Sequence, residues 1–210
     1  MKERPILFSG PMVNAILEGR KTQTRRVIKP QPDLQKSFSH QYPPDGPRTS
    51  YGWSGWYPSE NHHGARHYAT WEHLRKGLAA DFCPYGIPGD RLWVRETWTP
   101  DCVSEDAAKE LGRAPVHYRA DGEAPEYLNL KWRPSIFLPR KYSRITLEIT
   151  DVRVQRLQEI SEDDAQAEGR SLVKDSPLGY LPDTWDSINA KKHPWSSNPW
   201  VWAISFTVAP

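Results

Sequence analysis

The stretch "SRITLEITDVRVQRL", residues 143 to 157, constrains the fold most, because it alternates apolar and polar residues with the two-residue period of a half-buried strand. Ile145, Leu147 and Ile149 fall on one face, and Val152 and Val154 start a further strand after a kink. The closing segment "PWVWAISFTV" alternates in the same way with aromatic and aliphatic residues. "PILFS" (5 to 9) and "PGDRLWVRETW" (88 to 98), the latter opened by a Gly89-Asp90 turn signal, add two shorter strands. A helix is predicted over "GPMVNAILEG", where Met12, Val13, Ile16 and Leu17 recur at helical spacing. Pro11 suits its first turn, and Gly19 suits the left-handed position beyond its end. "SEDDAQAEG" reads as a second helix with Ser161 as N-cap and Asp164 three residues on, and "PDTWDSINA" as a third. Several strands with few helices imply an α+β domain built on a small β-barrel.

Between these elements the pattern breaks. Periodicity disappears from Pro30 to about Pro88 and again from 100 to 135, and the chain's 20 prolines and 13 glycines agree with long irregular segments. We read one domain over residues 1 to 210, with insertions at about 31–87 and 100–135. The first insertion has only a short helical candidate near "ATWEHLRKGLA", the second one around "SEDAAKELG". The first lacks the periodic apolar sequence for its own core, so its aromatics are expected to pack over the barrel. A net charge of +2 gives no general field for nucleic acid, and any anion binding must come from local clustering. Cys83 and Cys102 cannot form a disulfide framework, and no apolar run resembles a signal peptide or a membrane span. The expectation is a cytoplasmic protein with reduced thiols and no membrane partner; the oligomeric state is not legible.

The local clustering is in "LEGRKTQTRRVIKP". Arg20, Lys21, Arg25, Arg26 and Lys29 fall within ten positions, no acid lies between Gly19 and Pro32, and Thr22 and Thr24 sit inside the run. Such a run is a solvated basic helix terminus, a phosphate clamp, or a catalytic site that keeps a lysine close to a hydroxyl. Amide hydrolysis needs a nucleophile, a proton acceptor and stabilisation of an oxyanion. Thr24 supplies a hydroxyl, and the neighbours Arg20, Arg25 and Arg26 would lower the pKa of Lys21 toward useful basicity. Glu168 closes the second helix, where the helix dipole disfavours a negative charge, so its position needs a compensating cation.

Three segments, "ILEGRKTQTRR" (16 to 26), "PGDRLWV" (88 to 94) and "ITDVRVQRLQEISEDDAQAEG" (149 to 169), together resemble the ASCH family of the PUA-like β-barrel superfamily. "WVWAISF" fits as that family's last strand. The resemblance covers less than half of the chain, and the long insertions are of a kind found in phage and prophage members. It implies a PUA-like small β-barrel with flanking short helices. The family signature falls on Gly19, Lys21 and Arg26. A small bacterial member is an N4-acetylcytidine amidohydrolase, and its lysine, threonine and glutamate match Lys21, Thr24 and Glu168, the last on a looser match. The resemblance thus implies an amidohydrolase that removes an acyl group from the exocyclic amine of a modified pyrimidine nucleoside. Arg20, Arg25 and Arg26 are expected to bind substrate, and no cofactor is expected.

Weaker signals leave other readings open. "KWRPSIFLPRKYSR" (131 to 144) places Arg144 and other cations beside aromatics, either as a nucleic-acid edge or as an extended connector. Trp53, with Trp56 and Tyr57, either stacks on bases or anchors the insertion. His62, His63, His67 and His73 are not expected to hold a metal, since Gly64 interrupts the helix face that His63 and His67 would share. The alternatives to an enzyme on a modified nucleoside or nucleic acid are a non-catalytic PUA-like reader of RNA or a modified base, and a nuclease.

Overall fold

A computed structural model describes residues 1–31, 82–100, 116–123, 131–169 and 181–210. Trp53, Trp56, Tyr57, the four histidines from 62 to 73, Cys102 and both short helical candidates of the insertions lie outside the described residues. The elements run β1 (Glu3–Leu7), α1 (Gly10–Leu17), β2 (Gln23–Val27), β3 (Arg91–Arg95), β4 (Trp98–Pro100), β5 (Val116–Tyr118), β6 (Thr146–Arg156), α2 (Glu162–Ala167), α3 (Leu181–Asn189) and β7 (Trp200–Val208). All four predicted strand segments and all three predicted helices are present, whereas β2, formed by the basic run itself, carries no strand signal in the sequence. The first strand begins two residues earlier than "PILFS", because Glu3 and Arg4 pair with Arg91 and Leu92.

Five strands form one sheet in the order β1-β3-β6-β7-β2, parallel only between β1 and β3. The core lies on one face, where Ile6, Leu92, Leu147, Ile149, Trp202 and Phe206 pack together with Val13 and Ile16 of α1. Two expectations need correction. First, Val152 and Val154 do not begin a new strand: β6 continues through a bulge between Ile149 and Asp151. The extra residue explains why the odd-numbered Ile145, Leu147 and Ile149 and the even-numbered Val152 and Val154 all face the same core. Without it, the period of two would turn the second set to the opposite face.

Second, the strands do not close into a barrel by pairing among the described residues; β1 and β2 are the two edges of an open sheet. The edges are linked instead by a side chain. Arg26 Nη2 donates to the Leu7 carbonyl at 2.5 Å, and its guanidinium lies over the Phe8 ring, 5.2 Å from the centroid. The stretch from 100 to 135, read as irregular, contributes β5, which pairs with β4 in a separate two-stranded ribbon. Trp98, Tyr118 and Leu138 form a small second core beneath it.

Candidate active site

Local chain geometry carries the basic run into the protein rather than out to solvent. Gly19 takes φ +74° past the end of α1, and the backbone N–H groups of Arg20 and Lys21 both donate to the Ala15 carbonyl at 2.9 Å. These bonds satisfy a helix-end carbonyl and turn the chain directly into β2. On the other side, α2 begins as the sequence implies, with the Asp164 backbone N–H donating to Ser161 Oγ at 3.1 Å. Its last turn runs against the start of β2, where the Thr22 N–H donates to the Ala167 carbonyl and Lys21 bridges to Glu168.

The close approach depends on Gly169. It takes φ +90°, and a Cβ there would stand 2.6 Å from Lys21 Cβ and 2.9 Å from Ala15 Cβ. Only glycine combines that backbone with that space.

Lys21 is among the most buried large side chains of the protein, 2% exposed. Its Nζ donates to Glu168 Oε2 at 2.6 Å, to the Gln23 carbonyl at 2.8 Å and to the Glu168 carbonyl at 2.9 Å. An ammonium has three N–H donors, and all three are used. Arg25 completes the cluster: Nη1 donates to Glu168 Oε1 at 3.0 Å and Nη2 to Asp164 Oδ2 at 2.8 Å. Asp164 also accepts from Gln23 Nε2 and Arg153 Nη2, each at 3.0 Å. The cation that Glu168 needed at the helix end is therefore supplied twice.

Burial pushes the Lys21 amine below the usual lysine range, Glu168 pulls it back up, and Arg26 and Arg25 press it further down. The expectation that cationic neighbours would dominate is thus corrected, since burial is the larger cause. Arg20 plays no part, because its guanidinium turns outward to the Glu18 carboxylate and the Gly169 carbonyl. For Asp164, burial pushes the carboxyl up, but the hydrogen bonds from Gln23 and Arg153 and the nearby charges of Arg153 and Arg25 outweigh it and hold it low.

The cluster backs onto an open cleft of about 1320 Å³, whose lining includes Thr24, Arg25, Arg26 and Glu168 together with α3 and the residues after it. The β2–β7 register sets the sides: Thr24 and Arg26 lie opposite Ile204 and Trp202, Gln23 opposite Ser205 and Arg25 opposite Ala203. Thr24 is buried and its hydroxyl makes no hydrogen bond among the described residues. Lys21 is bonded to Glu168, which lines the cleft, while Lys21 itself lies behind that wall.

Of the expected substrate-binding residues, Arg25 and Arg26 line the cleft, whereas Arg20 does not. Arg144 is a clear departure. Its Nε and Nη2 donate to the two carboxylate oxygens of buried Glu96, both at 2.9 Å, and Nη1 donates to Asp121. The guanidinium also lies over the Tyr118 ring, 4.1 Å from its centroid, so it ties the small second core together, away from the cleft. Asp164, Gln23 and Gly169 were not singled out as site residues. Asp164 carried a visible signal only as the third residue after an N-cap.

No protein-family model matches the sequence, and no curated protein matches it. Among solved structures, the chain is similar in fold to an ASCH domain from Lactobacillus crispatus JV V101, at 11% identity and a TM-score of 0.40, over 99% of this chain and 79% of that one. It is also similar to a DUF984 protein of Enterococcus faecalis V583, at 12% identity and a TM-score of 0.38, over 100% of this chain and 80% of that one.

Proposed function

We propose that this protein is an amidohydrolase that removes an acyl group from the exocyclic amine of a modified pyrimidine, with N4-acetylcytidine as the reference substrate. The observation that carries the reading is the disposition of charge in the basic run. A phosphate clamp built on this run needs several cations with free valence, but Arg20 is spent on Glu18, Lys21 on Glu168, Arg25 on Glu168 and Asp164, and Arg26 on the Leu7 carbonyl, which leaves Lys29 alone of the five. A buried lysine–carboxylate pair is a poor stabiliser, because desolvation offsets much of the attraction. It is a good proton-transfer pair, and the Glu168 end of this one lines a cleft that also carries an unengaged hydroxyl.

In this reading, entry of substrate removes water from the cleft and one proton moves from the Lys21 ammonium to Glu168. The low-dielectric surroundings favour that neutral pair. The free amine takes the Thr24 hydroxyl proton as Oγ1 attacks the acyl carbon, and the C–O bond forms as charge develops on the carbonyl oxygen. Arg26, which lines the cleft while donating to the Leu7 carbonyl, supplies the positive charge that balances that oxyanion. Glu168 then protonates the departing amine as the C–N bond breaks. Water hydrolyses the resulting Thr24 ester, releasing the carboxylic acid and regenerating the hydroxyl. The test is incubation with N4-acetylcytidine and chromatographic detection of cytidine and acetate. Release of both supports the reading, and recovery of intact substrate at high protein concentration removes it.

A further inference from the structure

The lysines of the cleft lining belong to no part of that mechanism. Beyond α3 the chain places Lys191, Lys192 and His193 along the cleft, and Lys29, just past β2, reaches the same opening. Lys29, Lys191 and Lys192 are exposed, and none has a carboxylate partner among the described residues. Glu168 is the only acid on the cleft lining among those residues, and its charge is already met by Lys21 and Arg25. The same lining includes Met12, Phe82, Tyr85 and Trp185, which supply apolar and aromatic surface. The cleft lining therefore combines aromatic surface that suits a base with exposed cations that the chemistry of an acylated, uncharged nucleoside does not use.

Part of this arrangement has a purely structural cause. The Lys192 and His193 N–H groups donate to the Asn189 carbonyl at the end of α3, and lysines at a helix C-terminus favour its dipole. That accounts for Lys191 and Lys192 but not for Lys29, which comes from a different element and faces the same space.

We propose that Lys29, Lys191 and Lys192 form a phosphate subsite, so that the substrate enters as a phosphate-bearing form of the modified pyrimidine rather than as the free nucleoside. The phosphate comes either from a mononucleotide or from a nucleic-acid strand. This proposal rests on the reading of the Thr24 wall as the reacting centre, but it concerns residues that mechanism leaves unused.

The experiment compares N4-acetylcytidine, its 5′-monophosphate and a short oligoribonucleotide containing it, using wild-type protein, Lys29→Ala and the double variant Lys191→Ala/Lys192→Ala. The subsite predicts higher kcat/KM for a phosphate-bearing substrate and a loss of roughly tenfold in the variants, the scale of a lost charge-assisted hydrogen bond. Turnover of the free nucleoside should be unchanged. A gain that appears only with the oligonucleotide, with a salt slope shallower by about 0.7 per lysine removed, assigns the phosphate to a strand. A gain already complete with the monophosphate assigns it to a nucleotide. Equal kcat/KM for all three substrates, or equal losses on the nucleoside, overturns the subsite while the amidohydrolase reading stands. If no substrate turns over, tryptophan fluorescence titrations with cytidine, cytidine 5′-monophosphate and an unmodified oligoribonucleotide decide separately. Tighter binding of a phosphate-bearing ligand, lost in the lysine variants, supports the subsite, and indifference to phosphate removes it.

Discussion

At the scale of single residues, the central object is an ammonium with every donor used inside a nearly dry pocket. Removing Lys21 leaves Arg25 as the one cation on Glu168, so the cost falls at the lower end of the about 3–5 kcal/mol of a broken buried pair. Lys21→Met should therefore lower stability by roughly 3 kcal/mol, and adding Glu168→Gln should recover a large part of that loss, as read from urea midpoints. A double variant no more stable than Lys21→Met alone would show that the pair does not share one desolvation penalty. For the same reason loss of turnover in Lys21 variants must be measured well below their melting temperature. Thr24 is the cleaner probe, since its hydroxyl engages nothing else among the described residues. Arg20→Ala, which the sequence assigns to substrate binding, should leave KM unchanged, because Arg20 faces Glu18 and Gly169 rather than the cleft.

At the scale of elements, the site is the seam between the start of β2 and the end of α2, held shut by one glycine. Gly169→Ala should cost about 3 kcal/mol, since it combines a left-handed backbone with a Cβ driven into Lys21. Gly19→Ala has a similar φ but open space around it, and should cost only about 1 kcal/mol. Equal thermal shifts for the two would contradict the packing argument. Most elements were legible because their signals are local: alternation for β6 and β7, Pro11 and Gly19 at the ends of α1, Ser161 at the start of α2; β2 and β5, which carry no such signal, were not. The anomaly of Glu168 at a helix end also pointed correctly to a cation. What the sequence hid was long-range. Nothing local distinguishes Arg25, which meets Glu168 across 143 positions, from Arg144, which meets Glu96 across 48. Nor does alternation reveal a bulge, whose effect is to flip the parity of everything after it.

At the scale of the whole molecule, an open sheet is drawn together at its edges by Arg26, and the cleft lies where that linkage, α2 and α3 meet. The buried cluster should also govern how stability varies with pH. The folded-state pKa of Lys21 lies below its unfolded value of about 10.4, so between those two values the unfolded chain binds more protons and stability rises with pH. Lys21→Met should flatten that rise in denaturant midpoints. Asp164 acts at the other end: its carboxyl is held low, so the stability it contributes is present above its unfolded pKa and is lost as pH falls through its folded one. The most direct test of the account concerns the hydroxyl on the cleft wall. Turnover of N4-acetylcytidine should be measured for wild type, Thr24→Ser and Thr24→Val, with the fold of each confirmed by its melting curve. The account predicts residual activity in Thr24→Ser, a loss of at least a thousandfold (about 4 kcal/mol of transition-state stabilisation) in Thr24→Val, and an unchanged melting temperature in the former. Wild-type turnover by a folded Thr24→Val protein would contradict it.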